Sequence, residues 1–177
     1  MQIQTVSIFV DQDKYLPFVL STNESYKLSK SGYEGYCSQD EIIKIAKDSN
    51  CDAIHPGYGF LSENCTFAKK VVDSEIIWIG PNPGVIKLMG NKGRAREIAI
   101  KSKIPVVKSF IFSINCSIKK IIESINNKLD LPFIIKDPLG GGGKGIYIIK
   151  SFNELCQKWP IIKEISQKLT GTKFILF

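Results

Sequence analysis

Hydrophobic residues in the first half of the chain form short runs separated by amphipathic stretches. Three short segments predict strands: 2–10 is rich in β-branched residues, 76–79 is continuously apolar, and 51–54 runs into the segment that begins at His55. A loop-like region runs to Cys37, and a capping box of Ser38 and Glu41 predicts a helix from Gln39 to Asp48. A further helix is predicted at 67–72. Strands separated by helices are typical of a parallel α/β sheet with right-handed crossovers.

The second half predicts a hairpin among helices. One helix is predicted to begin after Asn91, a good cap residue, and to run to about Ser102, and a second, amphipathic helix is predicted at 117–128. Two strands, 132–136 and 146–149, are then joined by a glycine-rich turn. A second capping box, Ser151 and Glu154, predicts a helix to about Trp159, and 172–177 predicts a final strand.

Composition narrows the function classes. The 177 residues carry 24 Lys and Arg against 17 Asp and Glu, but the lysines are scattered, which disfavours nucleic acid and leaves room for a nucleotide site. The five cysteines are odd in number and none form a CxxC pair, which argues against a disulfide framework and against structural zinc. Neither a signal peptide nor a membrane-spanning stretch is predicted, so we expect a cytoplasmic or organelle-matrix location.

The glycine-rich turn carries the clearest chemistry. Four successive glycines allow backbone N–H groups to approach phosphate oxygens, and Lys136 and Lys144 add positive charge. A dinucleotide-binding turn leads into a helix, whereas here a strand follows Gly145. A Walker A lysine is followed by Ser or Thr, whereas Lys144 is followed by Gly145. We interpret the segment as a flap over a nucleotide; the alternative is a merely flexible hairpin.

The segment from His55 to Asn64 follows a predicted strand and leads into a helix, where ligands bind in open α/β sheets. Gly57 and Gly59 permit close ligand approach. His55 is the only histidine, and a packed or hydrogen-bonded role in the turn is favoured over catalysis. Ser62 or Asn64 is interpreted as a helix cap.

Five motifs occur in one order: HPGYGFLSEN, IGP, LMGNK, PFIIK and GGGGKG. In this order and spacing they resemble the biotin carboxylase family of acyl-CoA, pyruvate and urea carboxylases. The resemblance implies an α/β fold in two parts. Residues 1–90 would form an incomplete, Rossmann-like, parallel-sheet pre-ATP-grasp domain that lacks its first strand and helix. Residues 91–177 would form the start of an ATP-grasp domain with its glycine-rich flap.

The resemblance also implies site residues. The ATP-binding positions are two lysines and the flap: Lys92, Lys136, Gly140, Gly141, Gly142, Gly143, Lys144 and Gly145. Tyr58 and Gly59 match positions near biotin. The family's metal ligands and catalytic residues find no counterpart in this sequence. Asp137, where the family has a small residue, is expected to pair with Lys136 and weaken its hold on phosphate.

The implied cofactors are ATP, Mg²⁺ and biotin. The implied partners are the remainder of a biotin carboxylase, a biotin carboxyl carrier domain and a carboxyltransferase. Two functional hypotheses stay open. The chain is a partial biotin carboxylase, inactive alone, in which nucleotide binding is the function partly retained, or it is a non-catalytic module that packs against a partner.

Overall fold

A computed structural model of the chain describes residues 3–137, 145–170 and 174–176. Contacts divide the chain into two compact units, Met1–Lys87 and Leu88–Phe177. Each unit has its own hydrophobic core. The predicted domains, 1–90 and 91–177, stay predictions as evolutionary units.

The first unit alternates short strands with helices. Its elements in chain order are β1 (Val6–Phe9), α1 (Pro17–Leu20), β2 (Glu24–Lys27), α2 (Gly32–Tyr36), α3 (Gln39–Asp48), β3 (Ala53–Ile54), α4 (Cys65–Asp73), β4 (Ile77–Trp78) and α5 (Pro83–Met89), whose last residues enter the second unit. Strands β1 and β2 pair in parallel, as do β3 and β4. The α/β class and the parallel pairing are therefore confirmed, whereas the loop expected before Cys37 contains α1, β2 and α2.

Both parallel pairs contribute to one core. Helix α3 buries Ile42 and Ile43, and α4 buries Phe67 and Val71, so each helix presents an apolar stripe. Ile8 of β1 packs against the same cluster. This burial of apolar side chains holds the short strands in place, since two isolated strands are only marginally stable in water.

The start of α3 differs from the predicted capping box. Ser38 does not cap the helix; its hydroxyl donates to the carbonyl of Glu34. The Glu41 carboxylate accepts from the backbone N–H of Ser29, at 2.7 Å, and from its hydroxyl, at 2.9 Å. Asn64 does cap α4, because its Oδ1 accepts from the N–H of Phe67 at 2.9 Å, as predicted.

The second unit is an antiparallel sheet with helices packed on it. Its elements are α6 (Lys92–Lys101), β5 (Ile111–Ser113), α7 (Ile118–Ile125), β6 (Phe133–Lys136), β7 (Ile146–Ile149), α8 (Phe152–Thr170) and β8 (Phe174–Leu176). The strand order is β5-β8-β6-β7, with every pairing antiparallel. The predicted hairpin of β6 and β7 is confirmed, with Phe133 opposite Ile149 and Lys136 opposite Ile146.

The core of this unit lies between the sheet and helices α7 and α8. Its central residues are almost fully buried: Ile121, Ile125, Phe133, Ile135, Ile149, Leu155, Trp159 and Ile162. The end predicted for α8 near Trp159 is wrong, since the helix continues through Pro160 to Thr170. Burial of Ile162 on the same core explains the extension, because tertiary packing overrides the local preference against proline.

Candidate functional site

One row of residues crosses the second unit's sheet. Lys136 is paired with Leu176 on one side and with Ile146 on the other. Leu176 is paired in turn with Ile111. Because neighbouring strands lie about 4.8 Å apart, Ile111 and Lys136 are separated by about 10 Å across the row.

Directly paired residues project to the same face of a sheet. In β6, Phe133 and Ile135 are buried in the core, whereas Ile134 is 41% exposed. Lys136 therefore projects with Ile134 to the face opposite the core, which we call the outer face. By the same register, Ile146 and Ile111 also belong to the outer face.

Helix α6 begins on this outer face. Lys92 is its first residue, and the Oδ1 atom of Asn91 caps it by accepting from the N–H of Arg94 at 3.0 Å. Gly93 is buried, and a Cβ atom there would lie only 3.1 Å from Cδ1 of Ile111. The start of α6 thus approaches Ile111, which lies in the same row as Lys136. That the two lysines contact one ligand stays a prediction.

The first turn of α6 and Lys136 in the row contribute positive charge to this part of the second unit. Backbone N–H groups at a helix start carry partial positive charge, which favours anions. Lys92 and Lys136 add full charges. The arrangement suits a ligand with several phosphate oxygens.

Isoleucines cover the outer face beside Lys136. Ile134 and Ile148 are paired across β6 and β7 and are 41% and 54% exposed, and Ile146 is 47% exposed. The predictions from sequence do not include these isoleucines, although their alternation with buried neighbours along β6 and β7 marks one face of the sheet. Exposed apolar side chains beside Lys136 suit a molecule with an apolar ring and an anionic tail.

The glycine-rich turn is described only at its end. Gly145 precedes β7 with φ of +71°, a left-handed conformation that favours glycine. A Cβ on Gly145 would lie 3.8 Å from Cβ of Asp137. The predicted positions Gly140, Gly141, Gly142, Gly143 and Lys144 lie outside the described residues, so their role stays a prediction.

Asp137 does not behave as expected. Its side chain is buried, and the Ser166 hydroxyl of α8 donates a hydrogen bond to Oδ2. Because alternate residues of a strand face opposite sides, Asp137 is turned to the core side and Lys136 to the outer face. The expected competition between Asp137 and phosphate for Lys136 is therefore replaced by a contact with α8.

The two positions predicted near biotin belong to the first unit. Tyr58 is 98% exposed, and Gly59 has φ of +73° with open space where a Cβ would lie. His55 accepts a hydrogen bond at Nδ1 from the N–H of Gly57, at 3.0 Å, which supports the interpretation of a histidine that shapes the turn. The role of Tyr58 and Gly59 stays a prediction.

A concavity of about 530 Å³ lies in the first unit, beside the start of α3. Its charged groups already have partners: Glu41 binds Ser29, and Lys70 contacts Asp40 at 2.7 Å. Across residues 3–137, 145–170 and 174–176, no cluster of three His, Cys, Asp or Glu side chains is arranged to hold a metal ion. In the same ranges, no helix has the length and apolar character needed to cross a bilayer.

Comparison with known proteins shows the family to which the chain belongs. Residues 1–86 match the family described as biotin carboxylase, N-terminal domain. The chain is 40% identical over 172 residues to urea amidolyase of Lachancea kluyveri, and 39% identical over 159 residues to human mitochondrial pyruvate carboxylase. The chain belongs to the biotin carboxylase family. This confirms the resemblance carried by the five motifs.

Solved biotin carboxylases extend the likeness over 98% of the chain. The biotin carboxylase domain of Hydrogenobacter thermophilus 2-oxoglutarate carboxylase, in complex with MgADP, ADP and bicarbonate, gives a TM-score of 0.88 at 30% identity. The biotin carboxylase of Campylobacter jejuni gives 0.86 at 26% identity. The fold is therefore that of a biotin carboxylase.

The chain spans a small share of these relatives. The match to the urea amidolyase includes 97% of this chain but only 9% of the length of that protein. The match to human pyruvate carboxylase includes 89% of this chain and 13% of the length of that protein. Within the solved biotin carboxylases it covers 38% of the Hydrogenobacter chain and 39% of the Campylobacter chain. The activity and partners of a whole carboxylase therefore come to this chain only as proposals.

Proposed function

We propose that the chain contributes the phosphate-facing part of a biotin carboxylase nucleotide site and retains weak binding of ATP. The placement of Lys136 and the start of α6 on one face of the sheet carries the proposal. Lys92 and Lys136 would contact phosphate oxygens, and Ile134 and Ile148 would lie against the base. Gly140–Gly145, with Lys144, would supply further contacts.

The protein's contribution to this binding is electrostatic and apolar. Ammonium groups stabilise phosphate oxygens more strongly where the neighbouring surface excludes water, which the isoleucines of the outer face would do. In a whole enzyme, the same cations would stand where charge develops during phosphoryl transfer to bicarbonate. Carboxylation of biotin on a carrier domain would follow, with Tyr58 and Gly59 on the biotin side, and a carboxyltransferase would take over the product.

Magnesium in nucleotide sites is held by one or two carboxylates together with substrate phosphates. Among the described residues, no three His, Cys, Asp or Glu side chains are grouped so that they alone could hold a metal ion. The described part of the chain therefore offers no all-protein metal site. With the family's metal ligands lacking a counterpart in this sequence, we expect weak affinity for ATP and no turnover by this chain alone.

The binding proposal is tested with Lys136→Ala. Titration of the labelled chain with ATP, followed by amide chemical shifts, should show saturable changes around residues 92–93 and 136. Removing one charge-assisted contact should weaken ATP binding about tenfold. Lys128→Ala, at an exposed lysine after α7, is the matched control and should bind like the unmodified chain. An ATP affinity of the Lys136→Ala variant equal to that of the unmodified chain would contradict the proposal.

Turnover is tested separately. Incubation of the purified chain with ATP, Mg²⁺, bicarbonate and free biotin should yield no carboxybiotin, because the family's metal ligands and catalytic residues find no counterpart in this sequence. ATP- and bicarbonate-dependent product, measured by release of phosphate and by mass spectrometry of biotin, would show that our view of the chain as inactive alone is wrong.

A non-catalytic packing role is the second candidate. Ile77 of β4 is 64% exposed and Ile79 is 47% exposed, and β1–β2 and β3–β4 form separate two-stranded sheets within the described residues. Exposed apolar residues and sheet edges favour association with another protein. A concentration-independent monomer, by sedimentation, together with saturable ATP binding, would count against this role.

A further inference from the structure

Asp137 and Ser166 are an unusual pair in this protein. Across the described residues, they are the polar or charged residues classed as buried, with 6% and 5% of their surface exposed. They are also bonded to each other, since Ser166 Oγ donates to Asp137 Oδ2. A carboxylate is costly to bury and is retained where hydrogen bonds stabilise it, so the pair needs an explanation.

The pair lies where β6 ends. Lys136 forms the last paired position of β6, opposite Ile146, and Asp137 follows it directly. Asp137 reaches to α8 on the core side, while Lys136 projects from the outer face. The two neighbouring side chains therefore engage opposite sides of the sheet.

We propose that the Asp137–Ser166 hydrogen bond positions Lys136 for phosphate binding. This inference rests on the proposed ATP-binding function. A strand end held only by its last ladder bonds can twist about its own axis, and such a twist would move the long Lys136 side chain away from its ligand. The hydrogen bond from Ser166 holds Asp137, the residue after Lys136, against α8 and opposes that twist. Asp137 is thus a positioning residue that acts through Lys136.

The opposite strand leaves room for this arrangement. Gly145 precedes Ile146, and its missing Cβ would lie 3.8 Å from Cβ of Asp137, an ordinary contact distance. The left-handed φ of Gly145 turns the chain into β7 beside Asp137. The residue after β6 and the residue before β7 therefore lie in contact at the turn end of the hairpin.

The test combines Asp137→Ala and Ser166→Ala with the conservative Asp137→Asn, all in the complete chain. We expect each alanine variant to weaken ATP binding by about fivefold to tenfold. Asp137→Asn keeps an oxygen acceptor for the Ser166 hydroxyl and should restore most of the affinity. Circular dichroism and thermal melting verify that each variant is folded.

A double variant separates positioning from a general loss of structure. If Asp137 acts through Lys136, adding Asp137→Ala to Lys136→Ala should cause no further loss of ATP affinity. A general structural role would weaken binding in both backgrounds. The inference would be overturned if the losses of ATP affinity caused by the two single substitutions multiply in the double variant. It would also be overturned if the alanine variants of Asp137 and Ser166 bind ATP like the unmodified chain.

Amide hydrogen exchange gives a readout that needs no nucleotide. Ser166→Ala and Asp137→Ala should speed exchange at Lys136 and Ile146, while exchange at Phe133 and Ile149, at the other end of the hairpin, stays slow. Unchanged exchange at Lys136 would overturn the positioning role even if ATP binds. Faster exchange at Lys136 in a chain that binds no ATP would instead show that the proposed function, and not the anchoring of β6, is wrong.

Discussion

Among single residues, Tyr36 joins several segments of the first unit. Its hydroxyl donates to Oδ2 of Asp13 at 2.5 Å, and its ring lies 5.0 Å from that of Phe60. Burial, followed by the hydrogen bond to Asp13, raises the pKa of Tyr36 to about 12. Both causes favour the neutral phenol in the folded state.

This shift predicts a pH dependence of stability. The unfolded tyrosine loses its proton near pH 10, while the folded one keeps it until about pH 12. The stabilising contribution is therefore fully present below pH 10 and is lost as the pH rises toward about 12. Tyr36→Phe should lower the free energy of unfolding by about 1 kcal/mol at neutral pH, with the difference shrinking in this alkaline range.

Urea denaturation at several pH values measures the effect. Tyr58→Phe is the matched control, because Tyr58 is 98% exposed and its substitution should leave the free energy of unfolding unchanged. A stability difference between the Tyr36 variant and the unmodified chain that stays constant across the alkaline range would contradict the assigned role of Tyr36.

At the scale of secondary structure, α8 shows how packing overrides local preference. Pro160 lies inside the helix and is exposed, while Trp159 and Ile162 on either side are buried in the core. Proline removes the N–H that would bond the carbonyl of Cys156 and crowds that carbonyl. The helix nevertheless continues, because ending it at Trp159 would expose Ile162.

Pro160→Ala should therefore stabilise the chain. The variant restores a backbone donor and removes the ring, and part of this gain is offset because alanine leaves the unfolded chain more freedom. We expect the free energy of unfolding to rise by about 1–2 kcal/mol. Gln157→Ala, at an exposed position of the same helix, should change it by only a few tenths.

Chemical denaturation of both variants separates the effect of removing the proline from that of placing an alanine in α8. A decrease in stability for Pro160→Ala would show that the proline is required at this point of α8, contrary to our account of a tolerated break in hydrogen bonding.

At the scale of the whole molecule, two cores stabilise two units. Phe67 is 2% exposed in the first core, and Ile121 is fully buried in the second. Each core is built from residues of its own unit. A substitution that disrupts one core should therefore first destabilise the helices and strands that surround that core.

Phe67→Ala and Ile121→Ala test this division. Each should lower the stability of its own unit by about 3–4 kcal/mol, through lost burial and the cavity left behind. Hydrogen exchange followed by mass spectrometry should show faster exchange in residues 3–87 for the first variant and in 88–170 for the second. Equal loss of protection in both units for either variant would contradict separate cores.

Local signals in the sequence determined much of the outcome. The helix at Gln39–Asp48, the strand at Ile146–Ile149 and the caps at Asn64 and Asn91 were predicted from residue types and spacing within one or two helical turns. The family likewise followed from short motifs. These features depend on neighbours along the chain, which the sequence displays directly.

Tertiary structure alone decided what depends on distant partners. Glu41 binds Ser29 instead of capping its own helix, and Asp137 turns to Ser166, 29 positions away in the chain. Above all, the pairing of β5, β8 and β6 puts Ile111, which the start of α6 contacts, in one row with Lys136. Strand register and the packing of a helix on a sheet are set by contacts between remote segments, and local spacing does not contain them.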